Sequence, residues 1–303
     1  MLGILLFMSN CFVTTIDRSL AEKIEGELIE KGCVITTPPN TIFSAKMPGL
    51  ACCFYVSGKF TVQGKDKDEF IHFYLEPTIL KNLHHSHPKT KIVMSERIGC
   101  DEAGKGDFFG PLCVASFYYN PAQTDFLLDL GVDDSKVLSD FKIGKIAEAL
   151  KKSCEYEILS IFPKKYNELY EKFQNLNTLL GWAHVKAMTV LSERVGCNLV
   201  LLDQFVKPPF MQSLLNRTGN IQIKLTERTK AEEDIAVACA SILARDAFVK
   251  GMDKLSLDFG MQIPKGASKQ VILAGKKFLS IHGRGKLEEV SKIHFKTYKD
   301  LFI

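Results

Sequence analysis

Two adjacent carboxylates, Asp101 and Glu102, end an apolar run and lead directly into Ala103-Gly104-Lys105-Gly106. A third acid, Asp203, closes the apolar run Leu199-Val200-Leu201-Leu202. A further group, Glu232-Glu233-Asp234, opens a stretch rich in small residues that reads AVACASILAR. Acids gathered in one place repel one another, and a lone carboxylate at the end of a buried strand is costly unless it is paired or bound to metal. Divalent cations that favour hard oxygen ligands, Mg²⁺ or Mn²⁺, resolve such a cluster. Two such ions about 4 Å apart can activate a water and stabilise the leaving oxygen of a phosphodiester. No histidine stands at the spacing of a zinc site, and no Ser–His–Asp order points to a nucleophilic triad.

Each segment also has a plainer reading. Asp101-Glu102 followed by glycines suits a charged hairpin, Asp203 suits a strand end, and acids at a helix start are favoured by the dipole alone. Side chains alternate along a strand, so Asp101 and Glu102 share a site only if the chain bends at that point, and Gly104 and Gly106 permit the bend. The loop lacks the spacing of a Walker phosphate loop. Its backbone N–H groups can still press against a phosphate, with Lys105 beside them.

The elements that must position these residues fall into two regions. Residues 1–82 read as a small α+β unit. Strand-like segments lie at 11–16, 33–37, 41–47, 51–56 and 59–65. A helix carries Leu20, Ile24 and Leu28, with Ser19 and Glu22 at capping-box spacing. A second helix begins at Asp66 or Asp68 and carries Phe70, Phe73 and Leu75. Residues 83–91 form a polar linker within KNLHHSHPKTK, where His84, His85 and His87 suit a solvated hinge better than a metal site. From 92 to 303 apolar strands (92–101, 108–119, 157–162, 199–203) alternate with helices (142–152, 164–173, 178–195, 235–252), the texture of an α/β domain. Ala236, Ala238, Ala240 and Ser241 suggest a helix packed closely on a sheet.

With 39 basic and 35 acidic side chains the formal charge is +4, compatible with a nucleic-acid partner without requiring one. The apolar start, Met1 to Met8, lacks a basic leader and a cleavage site, and no run reaches the length of a membrane helix. Nine cysteines without a CxxC pair read as free thiols in a reducing compartment. A cytoplasmic protein is expected.

At these residues the sequence resembles the type 2 ribonucleases H, ribonuclease HII/HIII. The matching segments run in the family's order from about residue 92 onward: DEAGKGDFFGP (101–111), DDSKVLSD (133–140), NLNTL (175–179), VLLD (200–203), TKAE with its following helix (229–245), IPKGAS (263–268) and KIHF (292–295). The GKG loop followed by Asp107, and an N-terminal extension containing YVSGKFTVQGK (55–65), resemble the ribonuclease HIII branch. The fold implied is a ribonuclease H-like α/β domain with a mixed central sheet, preceded by a small α+β domain similar to the TATA-binding protein. The activity implied is endonucleolytic cleavage of RNA in an RNA–DNA hybrid, with two metal ions and with 5′-phosphate and 3′-hydroxyl products.

The resemblance assigns Asp101, Glu102 and Asp203 as metal-binding catalytic acids. For the fourth it leaves Glu232, Glu233 and Asp234, favouring Glu232 because it follows Lys230-Ala231 directly. It implies that Gly104, Lys105 and Gly106 meet the ribose 2′-OH and phosphates, and that Ser135 and Lys136 meet a phosphate. Asn177 is implied as a substrate contact, and a helix N-cap explains it equally well. In the N-terminal domain Lys59, Phe60, Gln63 and Lys65 are candidates for gripping the hybrid, against the plainer reading of a surface strand with solvated lysines. A monomer without an obligate protein partner or a membrane is expected. Two rival readings remain: a ribonuclease HII-like preference for single ribonucleotides in DNA, and a protein that binds hybrids without cutting. Carboxylates at four element ends weigh against the second, since they weaken binding to an anion.

Overall fold

The computed structural model describes residues 11–83, 85, 93–132, 138–207, 209–217 and 223–303. Ser135 and Lys136, His84 and His87, and the apolar first eight residues lie outside them. The chain divides into two compact units, Met1–Met94 and Ser95–Ile303.

In the first unit β1 (Cys11–Thr15) leads to helix α1 (Ala21–Glu30), then β2 (Val34–Thr36), β3 (Thr41–Met47), β4 (Leu50–Tyr55) and β5 (Lys59–Gln63). These form one antiparallel sheet in the order β1-β5-β4-β3-β2. A short helix α2 (Lys67–Phe70) widens into a π-helical segment, Ile71–Leu80. Ile24 and Leu28 of α1 and Ile71, Leu75 and Ile79 of the π segment share a buried cluster with Phe43, Phe54 and Phe60. The three phenyl rings meet edge to face at centroid distances of 5.8, 6.5 and 5.5 Å. Each such pair contributes about 0.5–1.5 kcal/mol beyond area burial.

Three local expectations are corrected here. Phe60 is fully buried in this core. Strand β5 alternates, so Phe60 and Val62 point inward while Lys59 and Gln63 are exposed; Phe60 is a packing residue and leaves the list of hybrid contacts. Lys65 is exposed just beyond the strand. The capping box at Ser19 and Glu22 does not form, because Asp17 caps a preceding 3₁₀ turn through Ser19 N–H. Phe73 is 73% exposed rather than packed, since the wider π turn rotates it off the face that Phe70 and Leu75 occupy.

The second unit runs β6 (Arg97–Ala103), β7 (Leu112–Tyr119), α3 (Thr124–Asp129), α4 (Asp140–Ser153), β8 (Tyr156–Ile161), α5 (Pro163–Phe173), α6 (Leu176–Val195), β9 (Leu199–Asp203), α7 (Phe210–Asn216), β10 (Lys224–Arg228), α8 (Ile235–Asp258), α9 (Lys269–His282) and α10 (Lys296–Asp300). Its sheet has the order β10-β9-β6-β7-β8 and is mixed: β10, β9 and β6 are parallel, and β7 and β8 are antiparallel to their neighbours. Helices α6 and α8 cover opposite faces. Ile98 and Cys100 pack with Val185 and Met188 of α6, while Leu201 packs with Val237 of α8.

Contact between β6 and α8 is unusually close. A Cβ on Gly99 would stand 2.2 Å from the Ala236 carbonyl carbon and 2.3 Å from the Val237 nitrogen. Both obstacles are backbone, so neither can swing aside. Gly99→Ala is expected to destabilise the protein by about 3 kcal/mol, the upper range for an overpacked core. The urea midpoint of the variant measures it, and an unchanged midpoint would show that helix and strand can separate freely.

All nine cysteines fall among the described residues and are free thiols. Among the described residues no helix is long and apolar enough to cross a membrane.

Candidate active site

Strands β6 and β9 are parallel neighbours, with Cys100 paired to Leu202, so their C-terminal acids, Asp101 and Asp203, emerge side by side. Both have the parity of Gly99 and Leu201, whose surroundings lie on the α8 side. Beyond β10 the chain turns at Lys230, which adopts a left-handed φ of 57°. That turn presents Ala231 N–H to Asp203 Oδ1 at 3.0 Å and sets Glu232 beside it. Asp101, Asp203 and Glu232 line one cavity of about 230 Å³ together with Ser241 and Arg245.

Asp234 belongs elsewhere. It is 2% exposed and pairs with Arg97, itself 7% exposed, through Nη2 at 2.9 Å and Nε at 3.0 Å. It also caps α8 by accepting from Ala236 N–H at 2.9 Å. Of the three acids that the sequence left open, Glu232 is the one on the cavity wall shared with Asp101 and Asp203.

Glu102 points the other way. The expected bend between it and Asp101 is absent: both remain in ladder register, opposite Val114 and Ala115, and alternation sends Glu102 to the α6 face. The turn comes two residues later at Gly104, whose φ of 84° and 2.2 Å distance from a would-be Cβ to the Pro111 carbonyl leave room only for glycine. Glu102 accepts from His184 Nε2 at 3.0 Å and from Lys105 Nζ at 3.3 Å. The two acids still act on one another through space. Desolvation, then the charge of Glu102, outweigh hydrogen bonds from Ser241 and Glu102 N–H, and Asp203 adds to the repulsion; the Asp101 carboxyl is pushed up to about 7. Burial also opposes the Glu102 charge, but the His184 and Lys105 interactions prevail and hold it below the ordinary carboxylate value.

This donor set fits divalent metal. It consists of carboxylate oxygens, hard ligands suited to Mg²⁺ or Mn²⁺, and Asp101, raised first by burial and then by the charges of Glu102 and Asp203, is a group whose ionised form a cation would favour. The acids surround the cavity without converging: among the described residues no three His, Cys, Asp or Glu side chains stand close enough to hold an ion as they are.

Beside Glu102, Lys105 stands over the Phe205 ring at 5.1 Å. Gly106 is exposed, and a Cβ there would meet nothing within 4 Å. The segment behind this loop is tied down by Lys292, whose buried Nζ donates to the carbonyls of Asp107 at 2.8 Å and Gly110 at 2.7 Å. Asn177 is exposed in the first turn of α6, but it does not cap the helix. Asn175 does, accepting from Asn177 and Thr178 N–H.

Sequence reasoning missed His184, Ser241, Arg245 and Lys292. His184 carries no local signal, because its partner lies 82 residues away. Lys292 sits in the recognised KIHF segment, where a lysine reads as surface until its burial is seen.

A model of the family described as ribonuclease HII matches residues 98–298. The chain belongs to the ribonuclease HII/HIII family. Membership makes it a ribonuclease H. Proteins named ribonuclease HIII align along nearly the whole length: that of Protochlamydia amoebophila is 48% identical over 286 residues, 94% of this chain and 95% of the relative. That of Chlamydia felis is 43% identical over 296 residues, 97% of this chain and 98% of the relative. Among solved structures, Bst-RNase HIII in complex with Mn²⁺ superposes with a TM-score of 0.66 at 26% identity, covering 96% of this chain and 98% of that one. Aquifex aeolicus RNase H3 gives 0.56 at 27% identity, covering 94% and 100%. Residues 11–87 match a separate domain family of unknown function. Both units of the chain therefore have counterparts in ribonuclease HIII proteins.

Proposed function

We propose that the protein cuts the RNA strand of RNA–DNA hybrids, leaving 5′-phosphate and 3′-hydroxyl ends, at a site formed by Asp101, Glu102, Asp203 and Glu232. The observation that carries this is that Asp101, Asp203 and Glu232 line one cavity, with Glu102 next to Asp101 in the chain and the glycine loop that carries Lys105 following it. The four carboxylates would hold two ions, Mg²⁺ or Mn²⁺, which when bound activate the attacking water and stabilise the departing 3′ oxygen.

The chain's own residues prepare the substrate. Lys105 neutralises a phosphate. The N–H groups of Gly104 and Gly106 face the ribose 2′-OH, the group that separates RNA from DNA. Open space around Gly106 supports this, since no neighbour in the described chain requires a glycine there. Ser135, Lys136 and Asn177 extend the phosphate contacts. Residues 1–82 act as the hybrid-gripping domain, with Lys59, Gln63 and Lys65 on or beside an exposed strand face, and 83–91 link it to the catalytic domain at 92–303. We infer a cytoplasmic monomer with no obligate protein partner.

The test is cleavage of an end-labelled hybrid by purified protein with Mg²⁺, with Mn²⁺ and with chelator, beside a duplex carrying one ribonucleotide. Metal-dependent cutting of the long hybrid, with little at the single ribonucleotide, is expected. Preference for the single ribonucleotide would favour the ribonuclease HII-like reading. Tight binding without cutting in either metal would defeat the assignment.

A further inference from the structure

We propose that His184 is a positioning residue for Glu102: it donates its Nε2–H to Oε2 and so restrains a carboxylate that would bind metal. The proposal rests on the assignment of Glu102 as a metal-binding acid.

His184 lies midway along α6 and is fully buried. Its Nε2 stands 3.0 Å from Glu102 Oε2, while its buried Nδ1 has no hydrogen-bond partner among the described residues. A ring so placed has one inexpensive form. The proton sits on Nε2, facing an acceptor, and Nδ1 keeps a bare lone pair. The opposite tautomer would bury an N–H with no acceptor, costing about 1–3 kcal/mol, and would set a lone pair against a carboxylate.

The ring is braced from one side. Phe205 stacks on it with centroids 5.5 Å apart and planes 26° from parallel. Phe205 also carries Lys105, whose Nζ lies 5.1 Å from the ring centre and 3.3 Å from Glu102 Oε1. Each oxygen of Glu102 thus has its own donor, and one phenyl ring braces both. The lone pairs these donors leave unused remain available to an ion. A carboxylate held by two donors has less conformational freedom to lose when metal arrives, and hydrogen-bonding partners of ligands typically contribute about 10–100-fold in metal affinity.

The experiment measures Mn²⁺ binding by calorimetry, without substrate, for the full chain and for His184→Phe, His184→Gln and Glu102→Gln. Metal-free melting temperatures are recorded alongside. Phenylalanine keeps the stack on Phe205 and removes the donor. Glutamine places an amide N–H near the former Nε2. His184→Phe is expected to bind Mn²⁺ about 10–100-fold more weakly, and His184→Gln to recover most of the loss. A purely packing role predicts the reverse order, because phenylalanine fills the pocket better than glutamine. Wild-type affinity in His184→Phe, with weakened affinity in Glu102→Gln, overturns the positioning role and leaves the Glu102 assignment standing. Wild-type affinity in Glu102→Gln removes the assignment itself, and the proposal with it. Should His184→Phe fail to fold, His184→Gln decides: near-wild-type affinity supports the proposal, and a loss as deep as that of Glu102→Gln overturns it.

Discussion

Asp101→Asn is expected to slow hybrid cleavage by at least about 10³-fold, some 4 kcal/mol of transition-state stabilisation, while hybrid binding stays near wild type. The substitution preserves shape and the contact with Ser241, so the loss reports charge alone. Burial and the charges of Glu102 and Asp203 all oppose ionisation of Asp101. Removing one of three mutually repelling groups should also stabilise the metal-free protein, by on the order of 1 kcal/mol. Single-turnover cleavage in saturating Mn²⁺ and a melting curve in chelator give the two numbers. Retained cleavage at matched metal would remove Asp101 from the site; an inactive but destabilised variant would mean that the fold, not the chemistry, had failed.

Asp234→Ala and Glu232→Gln should behave as opposites. Removing Asp234 takes from the Arg97 guanidinium, 7% exposed, the carboxylate it pairs with at 2.9 Å. Breaking such a buried pair costs about 3–5 kcal/mol. Loss of the α8 cap adds about 1 kcal/mol. Together they should lower the melting temperature by about 10 °C or more. Glu232 is half-buried on the cavity wall. Its neutral isostere should leave the melting temperature nearly unchanged and abolish cleavage. Thermal melts paired with the hybrid assay separate the two. A stable, inactive Asp234 variant beside an active Glu232→Gln would reverse their assignment.

The difference between those neighbouring acids marks where the sequence stops being informative. Asp101 and Asp203 were legible because each ends an apolar run, and an apolar run that ends in an acid puts that acid at the end of a buried strand. Which of Glu232, Glu233 and Asp234 enters the cavity depends on Arg97, 137 residues away. No local pattern carries that information. Phe60 failed for a related reason. Alternation in β5 separates Phe60 and Val62 from Lys59 and Gln63 but does not say which face is covered; α1 and the π segment decide. Strand β10, Lys224–Arg228, went unread because an edge strand with charged residues lacks the apolar run that marked β9. The α8 stripe was legible in kind, since small residues imply close approach, but only the backbone contact at Gly99 shows how close.

Lys292 also bears on the order in which the protein becomes competent. The carbonyls it holds, at Asp107 and Gly110, precede it by 185 and 182 residues, and Gly110 N–H is bound by the Val290 carbonyl at 3.0 Å. A ribosome builds the carboxylate-bearing strands long before it builds the segment that fastens the neighbouring loop. While the chain is still being made, the acids of β6 and β9 exist but the floor beneath the GKG turn does not. The GKG turn of a nascent chain thus gains its support only once Lys292 has emerged, long after the first unit is complete, so the two units become competent in sequence.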